Sequence, residues 1–137
     1  LSIGIALPMT FLSESVIKIL FGETYLDASS ILSIHIWASV FVFLGVASSK
    51  WFIAENRQIL SFQRTTIGAL ANVILNFLFI PQFQAVGAAT ATIISYAIAT
   101  IISDLFQAET RFIFFMKIES FNLLKVIYRI RILKNSL

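Results

Sequence analysis

The chain has 137 residues, 58% of them hydrophobic and 12% charged, with a net charge of +3 and a mean hydropathy of +0.91, whereas a soluble domain is about half apolar and about a quarter charged. A soluble fold of this length could not cover so much apolar surface, so the reading is an all-α, multi-pass membrane chain. With no cysteine and a single histidine, His35, disulfides, thiolate chemistry and His-based metal clusters are excluded. No basic patch interleaved with stacking aromatics points to nucleic acid.

Four stretches are apolar enough and long enough to cross a bilayer, a crossing taking about 17 to 25 residues. The spacing predicts spans over 1–21, 31–54, 65–81 and 87–106, followed by a tail over 107–137. The first begins inside an apolar run, without an initiator Met, a charged flank or a cleavage site, so it is not read as a signal peptide; it looks cut from something longer. Pro8 is placed to bend it. Glu14 lies about 10 Å inside its outer end by helical rise. A carboxylate at that depth is a candidate for proton or sodium coupling, with Lys18 at i+4 as its expected ion-pair partner.

The connection 22–30 carries Glu23 and Asp27 and no base. His35 opens the second span, where it is expected to be solvated. Trp37 and Trp51 fall near the span's two ends, where headgroup-level anchors belong. Lys50 sits in its last turn, about 6 Å from Ala54, and can snorkel. The 55–64 stretch, with Glu55, Asn56, Arg57, Gln58 and Arg64, reads as a basic loop. In the third span Gly68, Asn72 and Asn76 share one face at i, i+4 spacing. Amides in such bundles usually glue helices and otherwise line a polar path. A break is expected at Ile80-Pro81-Gln82.

In the fourth span Gly87, Ala91, Ser95, Ala99 and Ser103 recur every four residues, a small stripe that predicts close helix packing. The adjacent row, Ala88, Thr92, Tyr96, Thr100 and Asp104, is more polar and is the face expected toward water, with Asp104 interfacial or ion-coupling. The tail holds Arg111, Lys117, Lys125, Arg129, Arg131 and Lys134 against Glu109 and Glu119. It reads as an interfacial segment on an anionic leaflet, with Asn122, Lys125 and Arg129 as its polar stripe. Because short cytoplasmic loops collect Lys and Arg, the 55–64 stretch and the tail are expected inside, and only Lys18 outside.

The pattern Leu20-Phe21-Gly22-x-x-Tyr25-x-x-Ala28, then Asn72-x-x-x-Asn76-x-x-x-Ile80-Pro81, then Gly87-Ala88-Ala89-x-Ala91-Thr92 resembles the C-terminal region of bacterial polysaccharide and O-antigen flippases in the multidrug/oligosaccharidyl-lipid/polysaccharide exporter superfamily. The resemblance runs to about Arg111. It departs at Phe83-Gln84, where the family commonly has an aromatic followed by glycine, and Gln accepts a left-handed backbone poorly.

What the resemblance implies is a fold of about a dozen helices in two six-helix lobes that rock about a central cavity, with these four spans as the last part of the second lobe. It implies flipping of undecaprenyl-pyrophosphate-linked oligosaccharide repeat units across the bacterial inner membrane for O-antigen or other surface polysaccharide synthesis. The partners would be that lipid-linked substrate, membrane lipids and the remaining N-terminal lobe, with the C-terminus cytoplasmic. A pyrophosphate and a glycan are costly in hydrocarbon, so the candidates for a substrate path are Lys50, Arg64, Asn72 and Asn76, and those for ion coupling Glu14 and Asp104. No cofactor or metal is expected. An enzyme is disfavoured, since no nucleophile with a base, carboxylate pair or phosphate-cradling glycine loop is visible. The alternatives are a small multidrug exporter working as a dimer through Glu14, and a non-transporting truncated membrane scaffold.

Overall fold

A computed structural model describes residues 1–106 and 108–121. Among them the secondary structure is all helical: α1 (Ser2–Phe21), a 3₁₀ turn (Glu23–Tyr25), α2 (Ala28–His35), α3 (Ala38–Ala54), α4 (Gln58–Ala97), a π-helical turn (Ile98–Ile102), α5 (Ser103–Phe106) and α6 (Arg111–Ser120). Three continuous stretches are long and apolar enough to cross a membrane: Ser2–Phe21, Ala28–Ala54 and Gln58–Phe106. The expected tail stripe Asn122, Lys125 and Arg129 lies outside the described residues.

The helices are interrupted where the residues permit it. After α1 the chain turns at Gly22, whose φ of 85° and ψ of 174° suit a residue without a Cβ. α3 ends with Asn56 at φ 55°. The Asn56 amide donates to the Ile53 carbonyl at 3.1 Å and the Arg57 amide to the Phe52 carbonyl at 2.7 Å. This is a Schellman closure, with Asn as the non-glycine residue that best accepts the left-handed position. The turn needs only three residues, so the expected 55–64 loop is corrected: helix resumes at Gln58 and Arg64 lies within it. The second apolar stretch likewise starts at Ala28 rather than 31, with a tight turn at Ile36–Trp37. α1 runs helically through Pro8.

Pro81 does not end its helix as expected. α4 continues through Ile80-Pro81-Gln82 and breaks at Gln84, at φ 49° and ψ −128°. There the chain reverses. A Cβ on Gly68 would come within 2.7 Å of the Ala99 Cβ, and one on Gly87 would collide with the Phe79 carbonyl. The Asn72 side chain bonds Ser95 at 2.9 Å. Residues 68 with 99, 72 with 95 and 79 with 87 define one antiparallel register, so α4 is a hairpin of two arms packed along their length. The first part of the expected tail forms α6, which is docked on the rest of the molecule, with Ile113 and Lys117 buried and Phe112 stacked edge-on against Trp51 at 5.0 Å.

Hydroxyls in the apolar helices are mostly satisfied by their own backbone. Thr10, Ser48, Thr90, Thr92 and Thr100 each donate to the carbonyl four residues earlier, at 2.6 to 2.9 Å. That back-bonding removes the cost of placing a hydroxyl in hydrocarbon.

The reversal at Gln84 holds a glutamine in a region that costs about 1–3 kcal/mol for a residue with a Cβ, against about 0.5–1 kcal/mol of extra unfolded-chain entropy for glycine. Gln84→Gly should therefore raise the thermal midpoint in detergent by a gain of about 1 kcal/mol, and Gln84→Val should lower it. Equal midpoints for Gly and Val variants would show that the tip is not strained.

Candidate functional site

The two arms and α3 leave a cleft of about 450 Å³ between them, lined among others by Gly45, Ser49, Arg64, Asn72, Tyr96 and Thr100. Its charged group is Arg64, only 5% exposed. One guanidinium nitrogen, Nη2, donates to the Gly45 carbonyl at 3.0 Å and to Ser49 Oγ at 2.7 Å, and the guanidinium carbon stands 5.0 Å from the centroid of the Phe52 ring. The other nitrogen, Nη1, is buried with no hydrogen-bond partner among the described residues. Gly45 is needed here. A Cβ would meet Thr100 Cγ2 at 2.9 Å, so only glycine lets α3 come close enough for Arg64 to reach its carbonyl.

Above Arg64 along the same face stands an amide ladder. Asn76 Nδ2 donates to Asn72 Oδ1 at 2.8 Å, Asn72 Nδ2 to Ser95 Oγ at 2.9 Å, and Ser95 Oγ to the Ala91 carbonyl at 2.6 Å. Asn72 therefore bridges the arms and also lines the cleft. Asn76 supports it from one turn away, and its own Oδ1 is buried without a partner. Of the small stripe, Gly87, Ala91, Ser95, Ala99 and Ser103 are all buried, facing the first arm at closest approach.

Below Arg64 the hairpin register brings it opposite Ser103, beside Asp104. Asp104 is corrected from interfacial to buried, at 1% exposure. It accepts from Lys117 Nζ of α6 at 2.5 Å, and the same ammonium donates to the Thr100 carbonyl, also at 2.5 Å. That carbonyl lies in the π-helical turn, whose wider winding leaves carbonyls open to outside donors. Burial pushes the Lys117 ammonium down from its ordinary range, the hydrogen bond and charge of Asp104 push it up, and the like charge of Arg64 pushes it down again. Arg64, Asp104 and Lys117 are thus one electrostatic layer of two cations and one anion.

The structure does not bring the remaining candidates here. Lys50 is exposed on α3 and does not line the cleft. Glu14 is exposed on α1, and the expected pairing is corrected: Lys18 binds Glu23 across the Gly22 turn at 2.7 Å, both ends exposed. His35 is exposed. No group of residues suited to a metal ion occurs among the described residues. Two placements escaped sequence reasoning. From sequence Arg64 is a substrate-path candidate, but as part of a loop; it extends the 68, 72, 76 face by one turn, a signal masked by the polar residues before it. Lys117 looked like one of six topogenic bases in the tail, and nothing in its own spacing marks it as buried.

Three curated relatives match parts of the chain. It is 32% identical over 90 residues, 66% of its length, to the "Probable low-salt glycan biosynthesis flippase Agl15" of Haloferax volcanii. It is 31% identical over 94 residues, 69% of its length, to the "Uncharacterized membrane protein MJ1068" of Methanocaldococcus jannaschii. It is 30% identical over 91 residues, 66% of its length, to the "Capsular polysaccharide biosynthesis protein CapF" of Staphylococcus aureus. The matched segments make up 19%, 18% and 23% of those proteins, so the chain spans about a fifth of the length of the relatives it matches. No family model matches, and neither does any solved structure. The chain is thus similar to polysaccharide-flippase-like membrane proteins, two of them named for glycan or capsular polysaccharide synthesis.

The close approach of the arms gives a packing test. Ala99→Leu inserts three carbons where the partner is Gly68, and overpacking of this kind costs about 1–3 kcal/mol. Phe77→Leu, at an exposed position, should be nearly silent. Comparing both midpoints in the same detergent checks this; equal tolerance would mean the arms do not pack through Ala99.

Proposed function

We propose that the chain is the last part of the second lobe of a polysaccharide flippase-like transporter, and that it crosses the membrane four times. The length of the hairpin supports the count. A straight helix from Gln58 to Phe106 would extend about 74 Å, more than twice a hydrocarbon core of about 30 Å, while each arm folded at Gln84 is about 33–39 Å long. Both helical ends then meet water on the same side.

Charge sorts with these ends. Arg57 pairs with Glu109 and Trp51 stacks on Phe112, which puts the α3–α4 turn and α6 at one end, together with Lys50 and Arg111. The other end has Glu23, Asp27 and the Gln84 tip, with Lys18 as its base. Basic residues favour the cytoplasm, so the α6 end is cytoplasmic in a bacterial-type inner membrane.

The transported substrate is a lipid-linked oligosaccharide, in its specific form an undecaprenyl-pyrophosphate-linked repeat unit of O-antigen or a related surface glycan. The observation that carries this reading is the buried guanidinium of Arg64, whose Nη1 has no partner and which lines a cleft also bearing Asn72, Tyr96 and Thr100. A cation left partly unsatisfied in hydrocarbon is costly unless an anion visits it. The names of the relatives from Haloferax volcanii and Staphylococcus aureus support the same chemistry. Cleft opening by rocking of this lobe against another would expose Arg64 to each side in turn.

Two measurements test it. These 137 residues hold no cysteine, so in a full-length background with any other cysteine replaced, Asp27→Cys should react with an impermeant maleimide from outside intact cells, and Glu55→Cys only after permeabilisation. Reaction of Glu55→Cys from outside would overturn the orientation. In cells making a surface polysaccharide, Arg64→Gln in the full-length protein should lower surface glycan by at least about tenfold at equal protein level, since a hydrogen bond to a charged group contributes about 1.5–3 kcal/mol, and lipid-linked repeat units should accumulate inside. Lys50→Gln should have a smaller effect. Undiminished glycan with Arg64→Gln would remove the cleft from the transport path.

A further inference from the structure

We propose that α6 is a switch on the anion affinity of the cleft: docked, its Lys117 holds Asp104 and leaves Arg64 free for an anion; undocked, it releases Asp104 to take Arg64 instead. The inference rests on reading the cleft as a polar path.

Among the described residues the layer contains one carboxylate, Asp104, and two cations, Arg64 and Lys117. Asp104 is 1% exposed and Lys117 5% exposed, so their pair sits in a low dielectric, where an ion left alone is severely penalised. The hairpin register puts Arg64 beside Asp104, and the two interact electrostatically. Both cations can therefore pair with Asp104, and the structure shows which of them does. Lys117 Nζ is within 2.5 Å of Asp104 Oδ2, while Arg64 turns the other way, to Gly45 and Ser49, with Nη1 unsatisfied. Lys117 reaches this position through a second hydrogen bond, to the Thr100 carbonyl in the π-helical turn. Without the ammonium, the carboxylate and that carbonyl lose this donor, and Arg64, the other buried cation of the layer and electrostatically coupled to Asp104, can answer the carboxylate. A guanidinium engaged with Asp104 is neutralised and no longer attracts an anion. The chain also carries its own reporter of docking, since Trp51 of α3 stacks on Phe112 of α6.

The experiment measures binding of inorganic pyrophosphate to the full-length protein in nanodiscs at pH 8, with Trp51 fluorescence recorded in parallel in a background where Trp37 and any other tryptophan are replaced by Phe. Lys117→Met should weaken pyrophosphate by at least about tenfold and shift the Trp51 signal. Adding Asp104→Asn to Lys117→Met removes the competitor carboxylate and should restore affinity to within about threefold of the parent, although Lys117 is still absent. If Lys117→Met alone does not fold, Phe112→Ala, which loosens docking while keeping the ion pair's residues, should weaken binding in the same direction, and Asp104→Asn/Lys117→Met should be insensitive to it. Parent-like affinity in Lys117→Met or Phe112→Ala overturns the switch, as does a double variant as weak as the single one. Arg64→Gln should abolish binding in every background. If it binds pyrophosphate like the parent, the reading of the cleft fails, and the switch fails with it.

Discussion

In a bilayer, helices gain little by hiding apolar surface from one another, because lipid tails are as apolar as leucine. What remains is shape and the pairing of polar groups. The α4 hairpin meets that constraint with Gly68 against Ala99 and Gly87 against the Phe79 carbonyl, contacts so close that no larger residue fits at either glycine. Only at that separation can Asn72 reach Ser95. The amide ladder adds roughly 0.6–1 kcal/mol per bond, so its weight is less in energy than in register: a slip of one residue would leave buried amides unpaired. The cleft exists because this register is fixed. Its walls are the two arms, and its floor is the layer where Arg64 meets the end of the second arm.

That layer is where stability and function pull in different directions. A bundle built only for stability would fill the space with aliphatic side chains, since replacing buried ion pairs by apolar residues is often neutral or favourable by about 1–4 kcal/mol. Here the chain buries Arg64, Asp104 and Lys117 together, and among the described residues one guanidinium nitrogen has no hydrogen-bond partner. The Phe52 ring and the Gly45 carbonyl soften the cost for Arg64 but do not remove it. On the function proposed above, a guanidinium held beside hydroxyls and an amide, in a cleft of about 450 Å³, is suited to receive negative charge from elsewhere.

Much of this was legible in the sequence, and what was not has a definite cause. Helical class and membrane character follow from composition alone. The four-residue spacings of Asn72 with Asn76 and of the small residues from Gly87 to Ser103 define helix faces, because periodicity is a local property. Interruptions were read less well. Pro81 looked like a stop, yet a proline can stay helical when neighbouring groups satisfy the freed carbonyl, and the true reversal falls at Gln84, three residues on, where nothing but the departure from glycine hinted at it. The polar residues before Arg64 resembled a loop, although a Schellman turn at Asn56 closes the connection in three residues. Partner choice was the least legible. Lys18 and Glu14 have ideal helical spacing, but the Gly22 turn carries Glu23 back to Lys18, and Lys117 finds Asp104 only through the docking of α6. Both outcomes depend on turns, which single-residue chemistry decides.

The same geometry limits how these helices can move. Within α4 the arms are tied at three heights, by Gly87, by the Asn72–Ser95 bond and by Gly68, so sliding one arm past the other would break all three at once. Arg64 adds a tie from the first arm to α3 through Gly45 and Ser49. α3 and the hairpin therefore travel as one body, and the chain's joints are its short turns at Gly22, Ile36–Trp37 and Glu55–Arg57. On the transporter reading proposed above, rigid-body rocking is what alternating access requires of such a unit. α6 differs from the rest in being held by a buried charge pair and a stacked aromatic rather than by a small-residue seam. A seam made of glycine and alanine has one good geometry. An ion pair with a competing cation nearby has two, and that difference in the number of satisfactory arrangements is what separates the rigid part of this chain from the part able to switch.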